Sequence, residues 1–355
     1  MQFYIIEWIV LTLLIAPSKR HSNGEKLRRY IGGLIYVFFA AFRDVTTDRG
    51  LDAYAYYTIF ERAKLSFKNF LLVSNVELGY SFVAWIIKNI FNSYTIFLIF
   101  VHLFVYCAYI FFIDNIPLGK NRILLSAVLC LDLFSVYYLQ RNIIAVGIAL
   151  IMYVQLFRNK KKLKTIILML TLAITFHYSA VILIPICCIE FLTDQKNKLS
   201  KHKIIIIEAM AIIFTIIGSS FLNSFMSGSS KYYVYQNIGS FAVATNIVAI
   251  FVAILYLKNF RLLNDSFPVT RVMGIILLSI FLIIPLQIQY SIMYRMILFF
   301  LPIMSVMIMY IVEIYRGTRW QYAFQLFMLT YYIYRIVSFF VKEAVYIGVP
   351  YKMVI

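Results

Sequence analysis

Apolar stretches separated by short polar segments run along nearly all of the 355 residues of the chain. A helix needs about 20 apolar residues to cross a bilayer, and stretches approaching that length recur from beginning to end. The pattern therefore predicts an all-α fold, a single polytopic integral membrane domain over residues 1–355 with about 12 transmembrane helices. The candidate spans are 3–16, 30–42, 94–113, 122–139, 142–157, 164–178, 180–194, 203–221, 241–257, 270–286, 292–314 and 319–341.

The composition agrees with this class, since 63% of the residues are hydrophobic and only 14% are charged. A soluble domain carries about 25% charged residues. The net charge of +18 could indicate a nucleic-acid partner. Most lysines and arginines, however, form short clusters between apolar stretches, as in the cytoplasmic loops of membrane proteins, so we expect no nucleic-acid partner. The clusters are 19–29, 120–122, 158–164, 196–203, 258–271 and 316–319.

Placing these clusters in the cytoplasm assigns a side to every other loop. The first helix is expected to be retained with its N-terminus outside, because its positive charge follows the apolar stretch. A crossing by residues 77–91 would move the basic loop 158–164 outside, so we expect 77–91 to form an interfacial or re-entrant helix. The extracytoplasmic face then carries the loops 43–77 and 222–240, with Arg141, His177 and residues 287–295.

Two arginines of this face lie beside apolar spans, in YYLQRNIIAVG and QIQYSIMYRMILFF. Arg141 and Arg295 could each be a helix-end arginine that extends its charge to the membrane surface. Alternatively, each could bind a diphosphate, since a guanidinium donates two hydrogen bonds to phosphate oxygens and stays charged.

His177, in TFHYSAVILIPI, also has two interpretations. It could be a hydrogen-bonded turn residue, or it could be a general base, because the usual histidine pKa of about 6.5 suits proton transfer near neutrality.

Three aspartates recur every fourth residue, and a continuous helix would align them on one face. Asp44 and Asp48 could hold a divalent metal, but pairing with Arg43 and Arg49 explains them more simply. Asp52 is the acid that we expect to take part in the reaction, and we expect no metal and no cofactor.

Tyrosines are numerous on the same face, where an interfacial aromatic belt accounts for many of them. Tyrosine also suits sugars, because it offers an apolar ring together with a hydroxyl group. The tyrosines expected to bind sugar are Tyr54, Tyr56 and Tyr178.

Near these residues the chain resembles the EpsG family, the Wzy-like polymerases of bacterial exopolysaccharide and O-antigen synthesis. Arg43 is similar to the arginine that closes the family's second span. GLDAYAYYTIF at 50–60 is similar to a Gly-Thr-Asp followed by tyrosines and a phenylalanine, with Leu51 where threonine is usual. ELGYSFVAWIIKNIF at 77–91 looks like the family's Glu-x-Gly-Tyr helix.

The second half of the resemblance follows in the same order. RNIIA at 141–145 looks like the family's Arg-Gln-x-x-Ala motif, with Asn142 in place of glutamine, and FHYSA at 176–180 matches Phe-His-Tyr-Ser without change. Arg295 followed by Pro302 is similar to a late arginine and proline of the family.

The resemblance implies a GT-C-like polymerase architecture in the bacterial cytoplasmic membrane. It implies a glycosyltransferase that joins undecaprenyl-diphosphate-linked oligosaccharide repeat units on the outer face. Arg141 and Arg295 would neutralise the leaving diphosphate, with Arg43 assisting, and His177 or Asp52 would accept the proton of the attacking hydroxyl. Membrane lipids, and the flippase and chain-length regulator of the same pathway, are the further partners implied.

Three alternatives stay open at this point. A flippase for the same lipid-linked units would need a charged cavity open to both sides of the membrane. A polysaccharide acyltransferase would need an acyl-donor site reached from the cytoplasm. A metal-dependent glycosyltransferase would use Asp44 and Asp48 and would be inhibited by chelators.

Overall fold

The structure is a computed structural model that describes residues 2–17, 23–45, 51–117, 122–158, 163–192, 240–284 and 294–343. Every secondary-structure element that these residues form is a helix, which confirms the all-α class. The α-helices are α1 Gln2–Ile15, α2 Asn23–Ala41, α3 Leu51–Arg62, α4 Phe67–Ser74, α5 Leu78–Phe91, α6 Tyr94–Asp114, α7 Arg122–Phe134, α8 Gln140–Phe157, α9 Leu163–Phe176, α10 Leu183–Leu192, α11 Ser240–Lys258, α12 Phe260–Ser266, α13 Thr270–Leu278, α14 Tyr294–Ile297, α15 Leu301–Ile314 and α16 Gln321–Ser338.

Short segments of other helix types adjoin several of these helices. Three are 3₁₀ segments, at Ser135–Tyr137, Tyr178–Ile182 and Ser279–Leu282, and a π-helical segment at Phe339–Glu343 continues α16. The 3₁₀ segments lie where predicted spans end or break, as is usual for this tighter helix.

Membrane-spanning length is reached by three of the described helices, Tyr94–Asp114, Gln140–Phe157 and Gln321–Val341, which are also apolar enough to cross. A fourth span results if Val243–Lys258 and Phe260–Ser266 count as one segment, which bends by 80°. Shorter apolar helices occupy further predicted spans, and they include α1, α9 and α15. Helix α5 is also a shorter apolar helix, and it lies within residues 77–91, where the sequence predicts an interfacial or re-entrant helix.

The segment 43–77, predicted from the sequence to be an extracytoplasmic loop, is partly helical. It contains α3 and α4, and only residues 46–50 of it lie outside the described range. Tyrosines at positions 54, 56 and 57 give α3 a polar composition, although the ring of Tyr56 packs against Tyr80 and that of Tyr57 against Tyr94. Asp44 follows the end of α2 at Ala41 and Asp52 lies in the first turn of α3, whereas Asp48 lies outside the described residues.

Several predicted spans also differ in their limits. The span 30–42 begins earlier, at Asn23, and the span 122–139 changes from α-helix to 3₁₀ helix after Phe134. The span 292–314 is interrupted between Ile297 and Leu301. Pro302 lies in the first turn of α15, where its missing N–H costs nothing and its fixed φ favours a new helix start. The predicted span 203–221 and most of the loop 222–240 lie outside the described residues.

The chain divides into two compact units, which are described separately. The first comprises Met1–Gln155, Lys162–Tyr178 and Leu329–Ile355, and the second comprises Leu156–Lys161 and Ser179–Met328.

In the first unit, α2 packs closely along α6 and also contacts α1. Gly33 permits this approach, because a β-carbon there would lie 2.7 Å from a ring carbon of Tyr106. Tyr36 of α2 donates a hydrogen bond to the Leu133 carbonyl at 2.7 Å and lies 2.8 Å from the His102 ring nitrogen. His102 is therefore a buried contact between helices α2 and α6.

The C-terminal helix α16 is joined to α7 by a buried ion pair in the same unit. Arg335 donates to Asp132 at 3.0 Å, and both side chains are shielded from solvent. Asp132 thus provides a buried partner for the charge of Arg335.

The second unit is built around α15, whose residues from Leu301 to Val312 are all buried. Helices α11 and α13 pack against it. At one end the Tyr315 hydroxyl donates to the Asn259 side chain at 3.0 Å, which ties the end of α15 to the bend between α11 and α12.

Candidate active site

Arg141 and Glu77 form an ion pair between the first turn of α8 and the residue that precedes α5. Glu77 is the N-cap of α5, with extended backbone angles (φ −62°, ψ 148°), and a negative charge is stabilised at the start of a helix. The carboxylate side chain is 6% exposed and the arginine side chain 21% exposed. The guanidinium is thus the more accessible member of the pair.

The same carboxylate also reaches the FHYSA motif. Glu77 accepts a hydrogen bond through its second oxygen from the backbone N–H of Tyr178 at 3.4 Å. Tyr178 lies two residues after the end of α9, and the N–H of the intervening His177 makes a final helical bond to the Ala173 carbonyl at 3.0 Å. One carboxylate therefore joins the segments that carry Arg141 and His177.

Gly79 allows α5 and α9 to pack closely at this point. A β-carbon on Gly79 would lie 2.7 Å from the Thr175 hydroxyl oxygen and 3.0 Å from the Thr175 carbonyl oxygen. No side chain larger than hydrogen fits there without displacing α9. The Glu-x-Gly-Tyr sequence thus places an acid at the helix start and a close helix contact two residues later.

Tyr56 of α3 and Tyr80 of α5 pack close to Arg141. The Tyr56 ring centre is 5.7 Å from the guanidinium carbon of Arg141, within the range of a cation–π contact, and 5.6 Å from the ring centre of Tyr80. Tyr56 is only 5% exposed. Tyr56, which the sequence predicts to bind sugar, is thus shielded from solvent beside Arg141 and Tyr80.

Hydrogen bonds continue from Tyr80 to the start of α8. The Tyr80 hydroxyl donates to the Gln140 carbonyl oxygen at 2.9 Å, and the Gln140 amide donates to the Tyr94 hydroxyl at 3.2 Å. Gln140 and Tyr80 are fully buried. Because Gln140 precedes Arg141, this chain of bonds fixes the helix turn that carries the arginine.

Two of the predicted sugar-binding tyrosines are accessible. Tyr178 is 67% exposed and Tyr54 is 50% exposed. Tyr54 belongs to α3, and its ring centre lies 6.3 Å from that of Tyr57. Asp52 is in the first turn of α3, one helical turn before Tyr56, and its side chain lies outside the described part of the chain.

Arg43 occupies a separate, buried place in the first unit. It donates to the Tyr137 carbonyl at 3.1 Å, and its guanidinium carbon lies 4.5 Å above the Tyr137 ring. The Tyr137 hydroxyl in turn lies within 3.4 Å of a carboxylate oxygen of Glu7. Arg43 therefore anchors the 3₁₀ segment that leads into α8.

Arg295 belongs to the second unit, where it lies partly buried in the four-residue helix α14. The segment that follows it leads into the buried helix α15.

For the metal-dependent alternative, the described residues contain no group of three or more histidine, cysteine, aspartate or glutamate side chains that could hold a metal ion. Asp48, one of the two acids that this alternative requires, lies outside the described residues.

A sequence comparison covers nearly all of these elements. The sequence model of the EpsG family matches residues 29–353. The chain belongs to the EpsG family. EpsG is a family of Wzy-like polymerases, and membership indicates a polysaccharide polymerase-like role. No curated protein and no solved structure matches the chain.

The apolar helices and the family together identify this EpsG-family protein as a membrane protein. The family resemblance noted from the sequence is thus confirmed, and contacts of α5 and α8 link the segments that carry Arg43, Glu77, Arg141 and His177.

Sequence analysis did not identify Glu77, Gln140, Tyr80 or Tyr94 as site residues. A signal existed for Glu77, which is an acid placed directly before an apolar helix. The sequence signal for Gln140 was weaker, since it is only an amide residue next to Arg141 at the end of a predicted span. The two tyrosines could not be distinguished from belt residues, because their partners are 46 and 60 residues away along the chain.

Proposed function

We propose that this EpsG-family protein is a polysaccharide polymerase that joins undecaprenyl-diphosphate-linked oligosaccharide repeat units on the outer face of a bacterial cytoplasmic membrane. The product would be an O-antigen, capsule or exopolysaccharide, and the fold would have about 12 spans in a GT-C-like arrangement. The observation that carries the proposal is the accessible Arg141 at the start of α8, joined by Glu77 to the FHYSA segment and its exposed tyrosine.

The reaction requires positive charge beside the leaving diphosphate. The oxygen of an acceptor sugar hydroxyl bonds to the anomeric carbon of the donor chain, and the bond from that carbon to the diphosphate oxygen breaks. Negative charge then develops on the diphosphate. Arg141 supplies a fixed cation there, and the N–H groups in the first turn of α8 add partial positive charge.

The hydroxyl proton needs an acceptor, and we propose Asp52 or His177 for this step. Both belong to segments that contact the Arg141 site, through α3 and through the end of α9 respectively. Arg295 is proposed, from the sequence, to be a second cation for the diphosphate. Arg43 would assist indirectly by fixing the turn before α8.

Sugar binding is assigned to the exposed rings of Tyr54 and Tyr178. A tyrosine ring can stack on the apolar face of a sugar while its hydroxyl hydrogen-bonds to the sugar's oxygen atoms. Tyr56 would contribute to binding indirectly, because its ring packs against the Arg141 guanidinium.

Deletion of the gene, followed by electrophoresis of the surface polysaccharide, tests the proposal. A polymerase mutant should retain a single repeat unit on the surface and lose the ladder of longer chains. Complete loss of surface repeat units would indicate a flippase instead. An unchanged ladder that lacks acyl groups would indicate an acyltransferase.

A further inference from the structure

The ion pair between Glu77 and Arg141 occupies the side chain that the proposed reaction needs for the diphosphate. A diphosphate bound to Arg141 would lie beside the Glu77 carboxylate, and like charges at such short range repel each other. The pair seen in the structure and the complex with substrate are therefore alternative arrangements of the same arginine.

Glu77 has other partners when Arg141 is engaged elsewhere. It accepts from the Tyr178 N–H, and it is the N-cap residue of α5, where none of the helix N–H groups is capped by its side chain in the present arrangement. A carboxylate released from Arg141 could cap those groups, which prefer a negative partner. When Arg141 moves from Glu77 to the diphosphate, the Glu77 carboxylate and the start of α5 would therefore both keep a favourable contact.

We propose, on the basis of the function proposed above, that Glu77 is a built-in competitor of the lipid diphosphate for Arg141. An incoming donor displaces the carboxylate from the guanidinium. After glycosyl transfer, Glu77 returns to Arg141 and promotes release of the undecaprenyl diphosphate. Glu77 is a positioning residue in this cycle, acts through Arg141, and limits how tightly the product is held.

The relative exposure of the two side chains supports this order of events. Arg141 is 21% exposed and Glu77 is 6% exposed, so an anion that arrives from solvent or from the membrane surface meets the guanidinium first. The buried carboxylate remains close by, attached to the start of α5 and to the backbone of Tyr178.

Binding of a soluble prenyl diphosphate to the purified full-length protein tests the inference. Farnesyl diphosphate would be titrated against the wild type and against Glu77→Gln, which keeps the oxygen that accepts from Tyr178 but removes the charge. We expect Glu77→Gln to bind about tenfold more tightly, since removal of one close competing charge has effects of this order. A purely structural role would instead predict unchanged or weaker binding, because Arg141 would lose its support.

Matched variants show whether the tighter binding of farnesyl diphosphate depends on Arg141. Glu313→Gln also removes an acid that pairs with an arginine, Arg316, and should leave the affinity unchanged. The double variant Glu77→Gln with Arg141→Ala should bind no more tightly than Arg141→Ala alone. If Glu77→Gln does not accumulate, Glu77→Asp replaces it, and its shorter side chain must give tighter binding than the wild type.

The outcomes separate this inference from the proposed function. Equal or weaker binding by the Glu77 variant would overturn the exchange and leave the polymerase assignment standing. Failure of both the wild type and the variant to bind the prenyl diphosphate would overturn the exchange together with the proposed lipid-diphosphate donor.

Discussion

Gly79 lies against Thr175 so closely that a β-carbon at residue 79 would be 2.7 Å from the threonine hydroxyl oxygen. This contact brings the start of α5 to the end of α9. Glu77 and Tyr178 flank it, and their hydrogen bond depends on it. The geometry of the Arg141 site is therefore determined in part by a residue that carries no functional group.

Replacement of Gly79 by alanine should separate α5 from α9 and move Glu77 away from Tyr178. We expect overpacking of this kind to lower the free energy of unfolding by about 1–3 kcal/mol and to shorten the polysaccharide ladder. Adding Thr175→Ala removes the closest atom and should restore part of the ladder. Restoration will be incomplete, because the Thr175 carbonyl would still be 3.0 Å from the new carbon. A normal ladder from Gly79→Ala at matched protein level would contradict this account.

The helical class and most helix positions could be predicted from the sequence, because apolar stretches of membrane length have few alternatives to helix. The helices within 43–77 could not, because tyrosine is both polar in composition and apolar in packing. Arg141 and His177 could be identified as site candidates since charge beside an apolar span is uncommon. The partnership of Glu77 with Arg141 depends on packing between segments 64 residues apart, which no local pattern specifies.

Gln140 should be important for stability, because it satisfies two buried tyrosine hydroxyls at the start of α8. Gln140→Leu leaves those hydroxyls without their partner and should lower the free energy of unfolding by about 2–3 kcal/mol. Thermal unfolding in detergent measures the effect. In a double-mutant cycle with Tyr80→Phe, the two substitutions should be less than additive. Strict additivity would indicate that the hydrogen bond contributes nothing.

Arg141→Lys should lose most polymerase activity although it keeps the charge. Lysine lacks the planar group with several donors, so it cannot engage two phosphate oxygens at once. We expect at least about a tenfold loss of long polymer, corresponding to about 1.4 kcal/mol or more of lost stabilisation. Arg62→Lys, at an exposed arginine of α3, is the matched control and should give a normal ladder. Equal ladders from both variants would point to a simple charge requirement at position 141.

Asp52→Asn distinguishes the two proposed proton acceptors. Asparagine keeps the size of the side chain but removes its negative charge and its capacity to accept a proton. If Asp52 is the base, the variant should abolish polymer while the protein remains folded, and Asp265→Asn, at an exposed acid of α12, should have no effect. Full-length polymer from Asp52→Asn would exclude the acid and leave His177 as the base to be tested by replacement with asparagine.

Tyr178 offers a test of sugar binding that is separate from folding. Its side chain is 67% exposed, so its removal should cost little stability, in contrast to the buried Tyr56. If the ring stacks on a sugar, Tyr178→Ala should raise the concentration of lipid-linked repeat units needed for half-maximal polymerisation, by about fivefold to tenfold, while changing the maximal rate less. Tyr178→Phe keeps the ring and should be milder, with any remaining deficit due to the lost hydroxyl hydrogen bond.

Tyr322→Ala, at a tyrosine that is 79% exposed in α16, is the control for loss of an exposed aromatic ring and should behave as the wild type. A Tyr178→Ala protein whose half-maximal concentration and rate both equal those of the wild type would assign this tyrosine to the interfacial belt. The sugar contacts would then have to come from Tyr54 in α3.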